Sequence, residues 1–324
     1  MITKKPWDFP VKKSITEEPK AQEQALEKNP FASIDDQIDG AVPTATLQIY
    51  QGIDEKLGRK EVDTHVNRAS SATLCHKRRW YQRRGLPGEK LTPRKLINFL
   101  LGDLSEIAHR HYVHEFLVGP GKMYSEVDFG TPTGTFEANG KTITIYKQAD
   151  LVANIGGIQV TAHVDGWGKR NSDGQWELIE FKSSSNFGFD EFRKIGTSDY
   201  LKQAMVNLQT NRALELGARE VRFYYLRKET GHLWDRLYSF DQDLANDVAE
   251  EFRLANAEAE PPAPYFPKLE TERKKPTGRK VLDFPCTYCP YKHHCHAGIT
   301  VEFKEAFGKS YPVYVVGKTE GETA

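Results

Sequence analysis

The chain has 324 residues, 38% of them apolar, enough for one large domain or one domain with appendages. Its 45 Lys and Arg balance its 45 Asp and Glu, so any nucleic-acid partner must be held by local basic patches and not by a global field. No run of about 20 apolar residues occurs and the amino terminus lacks a signal-peptide stretch, which gives the expectation of a soluble, cytoplasmic protein without membrane contact.

Residues 1–42 are rich in Lys, Glu, Gln, Asp and Pro and poor in aliphatics, a composition that reads as a flexible tail. Residues 43–300 read as a single domain, and 301–324 as a C-terminal extension. Within the domain, Ser70 to Arg84 reads as a short helix capped by Ser70 or Ser71, with Cys75 in its first turns and Gly85 just past its end. Thr92-Pro93 starts a second helix, with Leu96, Phe99, Leu100 and Ile107 at helical spacing and Glu106 on it. From Lys141 to Lys182 the β-branched runs TITIY, QVTAHV and WELIEF read as a meander of antiparallel strands. Ser198 and Asp199 cap a helix through Leu208 to Gly217, VRFYYL is a further strand, and Leu244, Val248 and Phe252 mark a last amphipathic helix. The stretch 261–280 reads as a proline-rich, basic connector leading to Cys286. The element order predicts an α/β or α+β class: a central mixed sheet flanked by helices. Gly134-x5-Gly140-Lys141-Thr142 has one residue too many for a phosphate-binding loop and lacks its strand-to-helix context, so no ATP-driven motor is encoded here.

The chemistry concentrates in WELIEFK. Alternation with period two puts Glu180 and Lys182 on one face of their strand. A hairpin folded about Ser172 and Asp173 sets Asp165 directly opposite Glu180, with Cβ atoms roughly 5 Å apart. A turn centred on Asp173-Gly174 would set Glu180 opposite Trp167 instead, leaving Asp165 diagonal. Either register keeps both carboxylates on one face. Like charges that close repel, and the hard oxygen set is what Mg²⁺ or Mn²⁺ selects.

The order Glu106 on a helix after Gly102, Asp165, Glu180-x-Lys182, then Gln203 on a helix resembles the PD-(D/E)XK nuclease superfamily, in particular its RecB-like branch. That resemblance implies a restriction-endonuclease-like core in which Glu106, Asp165 and Glu180 ligate a metal, the Phe181 carbonyl adds an oxygen, Lys182 is the catalytic lysine and Gln203 belongs to a Q-x-x-x-Y motif. Two positions depart from the family pattern: 207 is Asn where Tyr is usual, and 106 is Glu where many members have His.

The chain has four cysteines: Cys75, then Cys286-x2-Cys289-x5-Cys295. In a reducing compartment they suit metal or redox chemistry better than disulfides. One distant cysteine and a tight cluster of three fit an iron-sulfur cluster better than the paired arms of zinc; zinc stays the alternative, with His293, His294 and His296 crowding the loop. This layout, with Cys75-His-Lys-Arg-Arg-Trp-Tyr, resembles the AddB nuclease domain and the CRISPR-associated RecB-like exonucleases, over about Ser70 to Cys295. The resemblance implies a four-iron four-sulfur cluster stapling the two ends of the domain, and an exonuclease on single-stranded or end-opened DNA. It also implies a role in recombination, repair or phage DNA metabolism, in a bacterial cell or phage-infected host, with a helicase or recombination partner; CRISPR adaptation is a narrower version. A non-catalytic DNA-binding or scaffold subunit of the same fold is the rival. The basic stretches Lys77 to Lys95 and Lys268 to Lys280 are the candidate phosphate contacts, with Trp80 or Tyr81 stacking on an unpaired base.

Overall fold

The computed structural model describes residues 66–89, 93–184, 186–195, 198–272, 275–296, 298–306 and 309–316. The tail read over 1–42 and the Thr92 cap lie outside them. The elements in chain order are a 3₁₀ turn (Ala69–Thr73), α1 (His76–Arg83), α2 (Pro93–Tyr112) running into a π-helical turn (Val113–Leu117), β1 (Tyr124–Asp128), β2 (Thr131–Ala138), β3 (Lys141–Lys147), β4 (Leu151–Ile155), β5 (Ile158–Ala162), β6 (Gly166–Arg170) and β7 (Trp176–Ser184). They continue with α3 (Asn186–Ile195), α4 (Ser198–Asn207), α5 (Asn211–Leu216), β8 (Glu220–Arg227), β9 (Leu233–Ser239), α6 (Gln242–Ala255), β10 (Lys268–Glu272), β11 (Lys275–Val281), α7 (Phe284–Thr287), α8 (Lys292–Cys295), β12 (Ile299–Ala306) and β13 (Lys309–Val316).

The class is mixed α+β, with a five-stranded mixed sheet in the order β1-β6-β7-β8-β9 flanked by helices. Strand β7 is its centre. Glu177, Leu178, Ile179, Glu180 and Phe181 are all buried, the pattern of a strand covered on both faces. It runs parallel to β8, which requires a crossover, and α3, α4 and α5 supply it. One face packs Leu178, Val221, Phe223 and Tyr225 against Met205 and Leu208 of the crossover and Val248 and Phe252 of α6. The other gathers Tyr124, Phe129, Ile179 and Phe181 beneath Val113. Gly166 is a close-approach position, since a Cβ there would lie 2.4 Å from the Phe129 ring.

Several local readings are corrected. The strands between Lys141 and Lys182 are divided among three sheets: β3 pairs with β2, β5 with β4, and only β6 and β7 enter the central sheet. The run QVTAHV ends as a strand at Ala162, and Asp165 sits in the bend before β6. The helix read from Ser198 to Gly217 is two, because Thr210 breaks it: its hydroxyl donates to the Asn207 carbonyl at 2.7 Å and accepts from the Ala213 amide at 3.3 Å, capping α5. The segment from Ser70 to Arg84 is a 3₁₀ turn and then α1, with Cys75 as the cap itself, its Sγ accepting from the Arg78 amide at 3.3 Å. Part of the expected connector forms the β10-β11 hairpin, which joins β12 and β13 in a four-stranded sheet in the order β10-β11-β13-β12. Among the described residues no helix is long and apolar enough to cross a membrane.

Candidate active site

Helix α2 lies across β7 and brings Glu106 to the strand that carries Glu180 and Lys182. Between β6 and β7, Gly166 faces Ile179, so Asp165 enters the sheet level with Glu180, the first of the two registers the turn allows. Asp165 Oδ2 accepts the Phe181 amide at 2.7 Å. Glu180 Oε2 accepts from Lys182 Nζ at 2.9 Å, two residues along the same face. A cavity of about 430 Å³ opens here, its wall including Glu106, His109, Phe181, Lys182 and Tyr200.

Three side chains complete the arrangement, of which the sequence marks only Asn207, and that as a departure from the family pattern. Gln148, just past β3, donates through Nε2 to Glu106 Oε1 at 3.1 Å and to Asp165 Oδ1 at 2.9 Å. Arg110, buried one turn after Glu106, pairs with it and donates through Nε to the Asp165 carbonyl at 3.1 Å. Fully buried Asn207 donates to Glu180 Oε1 at 2.6 Å. Asn207 is the departure from the family's Tyr, yet it is the α4 side chain that reaches a site carboxylate; Gln203, one turn earlier, is half-buried and does not line the cavity. Buried His109 stacks on Phe181 at 5.0 Å between ring centres, and neither ring nitrogen has a side-chain partner.

The electrostatics follow from crowding. Burial, and then the charge of Asp165, push Glu106 up to about 8 against the pull of Arg110. Burial also raises Glu180 to about 6, with Lys182 pulling it down and Asp165 pushing it up. Burial alone would lower Lys182, but the Glu180 and Asp165 charges outweigh it and hold the ammonium protonated. The carboxylates therefore stand under-neutralised, and their chemistry suits a hard divalent cation. As the side chains stand, no group of three or more His, Cys, Asp or Glu among the described residues is arranged to hold a metal ion. The reason is visible in the contacts: Arg110 and Gln148 engage Glu106, Gln148 and the Phe181 amide engage Asp165, and Lys182 and Asn207 engage Glu180.

The four cysteines line a second cavity of about 200 Å³, together with Arg78, Tyr265, Lys292 and His296. All are free thiols. Burial, reinforced by the neighbouring thiols, pushes Cys75 up to about 11 and Cys286 up to about 12, and burial raises Cys295 as well. Left alone, Cys75, Cys286 and Cys295 stay protonated at neutral pH; a thiolate-binding group would release those protons.

The proposed base-stacking role of Trp80 and Tyr81 is corrected. They are 8% and 3% exposed, Trp80 Nε1 donates to the Ala257 carbonyl at 3.0 Å, and Tyr81 Oη donates to Glu260 at 2.7 Å. The nearby cations are likewise engaged internally: Lys77 with Glu260, Arg79 with Glu251, and Arg84 over the Trp80 ring. This segment fastens α1 to α6 and the chain that follows it. In the second stretch, Lys268 pairs with Asp283 and Arg279 with Glu270 and Glu302. The side chains of Lys90, Arg94 and Lys95 lie outside the described residues.

No protein-family model and no curated protein matches the chain. Among solved structures it is similar to SSO0001, with a TM-score of 0.42 and 13% identity, over 80% of this chain and 98% of that one.

Proposed function

We propose that the chain is a divalent-metal-dependent deoxyribonuclease of the PD-(D/E)XK type, acting as an exonuclease, with its cysteines on a four-iron four-sulfur cluster. The observation that carries the reading is the gathering of Glu106, Asp165, Glu180 and Lys182 from three separate parts of the chain: Glu106 and Lys182 line the cavity, and Asp165 and Glu180 are buried behind them, linked through Gln148 and Lys182. An apolar core gives no reason to gather carboxylates where burial and a neighbouring charge raise the proton affinity of Glu106 and Glu180.

In this reading Glu106, Asp165 and Glu180 hold Mg²⁺ or Mn²⁺, with the Phe181 carbonyl as a further oxygen. Such an ion supplies a bound water of lowered pKa and offsets the charge developing on a phosphodiester. The protein's own share is positional. Asn207 and Lys182 fix the Glu180 carboxylate from two sides, and the Phe181 amide fixes Asp165. Lys182, held protonated, presents an ammonium to the phosphoryl oxygens as their charge grows. Lys228, on the cavity wall, adds a second cation for the backbone of the nucleic acid.

The four thiols support the cluster: they line one cavity, one from the start of α1 and three from the segment 286–295, a layout unlike the paired arms of a zinc site. Protein purified without oxygen should be brown and contain iron and acid-labile sulfide; a colourless, zinc-containing preparation overturns this half of the proposal.

For the nuclease, the test is incubation with end-labelled single-stranded and duplex DNA plus Mg²⁺ or Mn²⁺, beside Lys182→Ala. The expected result is degradation that falls by at least about 100-fold in the variant, the scale of removing a transition-state charge partner. Degradation unaffected by the substitution overturns the mechanism. The internal donors on every site carboxylate favour one rival, a non-catalytic DNA-binding subunit, and tight binding without degradation would establish it.

A further inference from the structure

Gln148 follows β3 directly and is the residue through which two site carboxylates touch. Its single nitrogen lies 3.1 Å from Glu106 Oε1 and 2.9 Å from Asp165 Oδ1, so both amide protons are spent on carboxyl oxygens from different elements. A group bonded to two carboxyls at once brings their oxygens within reach of a single nitrogen, and so within reach of a single cation in its place.

A glutamine amide has two faces of nearly equal size. A half-turn about its last torsion exchanges the NH₂ for the carbonyl Oε1 without moving the chain. With nothing between the carboxylates, Oε1 turned inward would set three oxygens against one another. With a hard divalent ion there, an oxygen is what the ion takes, and an amide NH₂ is what it rejects. The orientation of Gln148 is thus tied to whether a cation is bound.

We propose that Gln148 belongs to the cation-binding set of this cleft: its NH₂ tethers Glu106 and Asp165 in the metal-free protein, and its Oε1 serves as an oxygen ligand when the ion binds. The proposal rests on the nuclease reading for the ion itself and extends it by a residue outside the motif carboxylates. It separates a ligand from a mere structural tether. A tether would be lost equally on removing the amide or replacing it with a carboxylate, which repels Glu106 and Asp165. A ligand survives the second change, since a carboxylate still offers oxygen.

The experiment is calorimetric titration of the full chain with Mn²⁺ at pH 8, for the parent protein, Gln148→Leu and Gln148→Glu, with melting curves recorded beforehand without metal. The expected result is at least about tenfold weaker Mn²⁺ binding by Gln148→Leu, on the scale of losing one contributor to a metal site. Gln148→Glu should bind at least as tightly as the parent while melting at a lower temperature when metal-free. Parent-like affinity in Gln148→Leu, or weaker binding in Gln148→Glu, overturns the proposal while leaving the nuclease reading intact. A parent protein that does not bind Mn²⁺ overturns both. Should Gln148→Leu fail to fold, the Gln148→Glu affinity decides alone: equal or tighter supports the proposal, weaker overturns it.

Discussion

Replacing Glu106 with Gln should change the pH dependence of stability in a direction opposite to that of an ordinary carboxylate. Most paired carboxylates have depressed pKa values and stabilise the fold at neutral pH; Glu106 is raised from 4.5 to about 8 by burial and the Asp165 charge. A raised folded-state pKa adds stability that is fully present below about 4.5, fades as pH climbs and is gone above about 8. At about 1.4 kcal/mol per pH unit the ceiling is about 5 kcal/mol. The side chain is 26% exposed and shares its field with Asp165 and Glu180, so an effect of about 2 kcal/mol is the working figure. For a chain of this size that corresponds to a shift of about 3 °C in melting temperature. The assay is thermal melting of both proteins from pH 5 to 8.5 without divalent cations. Only slopes are compared, because Gln also replaces an oxygen that buried Arg110 and Gln148 engage. The parent should lose stability relative to Glu106→Gln as pH rises. Parallel profiles would refute the electrostatic account of the cleft.

Asn207→Leu removes the donor on Glu180 Oε1 and should cost about 1–3 kcal/mol in urea denaturation at pH 8. The cost should shrink at pH 5, where Glu180, raised to about 6, is mostly protonated and no longer needs a charge-stabilising donor. Trp80→Phe should leave DNA affinity unchanged within twofold by fluorescence anisotropy and cost about 1 kcal/mol of stability, because the indole is buried and its N–H is bonded to the Ala257 carbonyl. Cys286→Ser should lower iron per chain and lower the melting temperature together, since a metal-stapled segment couples binding to folding. Loss of iron without loss of stability would remove the stapling role.

Strand periodicity made the shared face of Glu180 and Lys182 legible, while turn chemistry left two registers open, of which the one about Ser172-Asp173 forms and carries Asp165 to their level. The spacing of Leu244, Val248 and Phe252 likewise found α6. Gln148 carried no such signal, because it lies outside any periodic element and its meaning comes from two partners, 42 and 17 residues away. The aromatic and basic run around Trp80 misled for a related reason. Local composition shows the cations but not Glu251 and Glu260, more than 170 residues later, which hold them in place. Glu177 was hidden too: alternation places it on the face opposite Glu180, but only the pairing with β8 and the approach of β1 reveal that this face is also closed.

That last residue bears on how the strand tolerates change. Fully buried Glu177 is held by Tyr124 at 2.6 Å and by Arg222 and Arg170, while fully buried Glu180, on the reverse side, is held by Asn207 and Lys182. Each carboxylate has a dedicated set of donors on its own side of the sheet. Inserting or deleting a single residue in β7 would turn a buried carboxylate against hydrophobic neighbours, stranding it and taking the donors of its own side out of reach, even though Arg170 and Arg222 keep Asp173, Glu220 and Asp235. The back of the sheet thereby acts as a lock on the front: point substitutions around the cleft can accumulate, but a frame slip along this strand cannot.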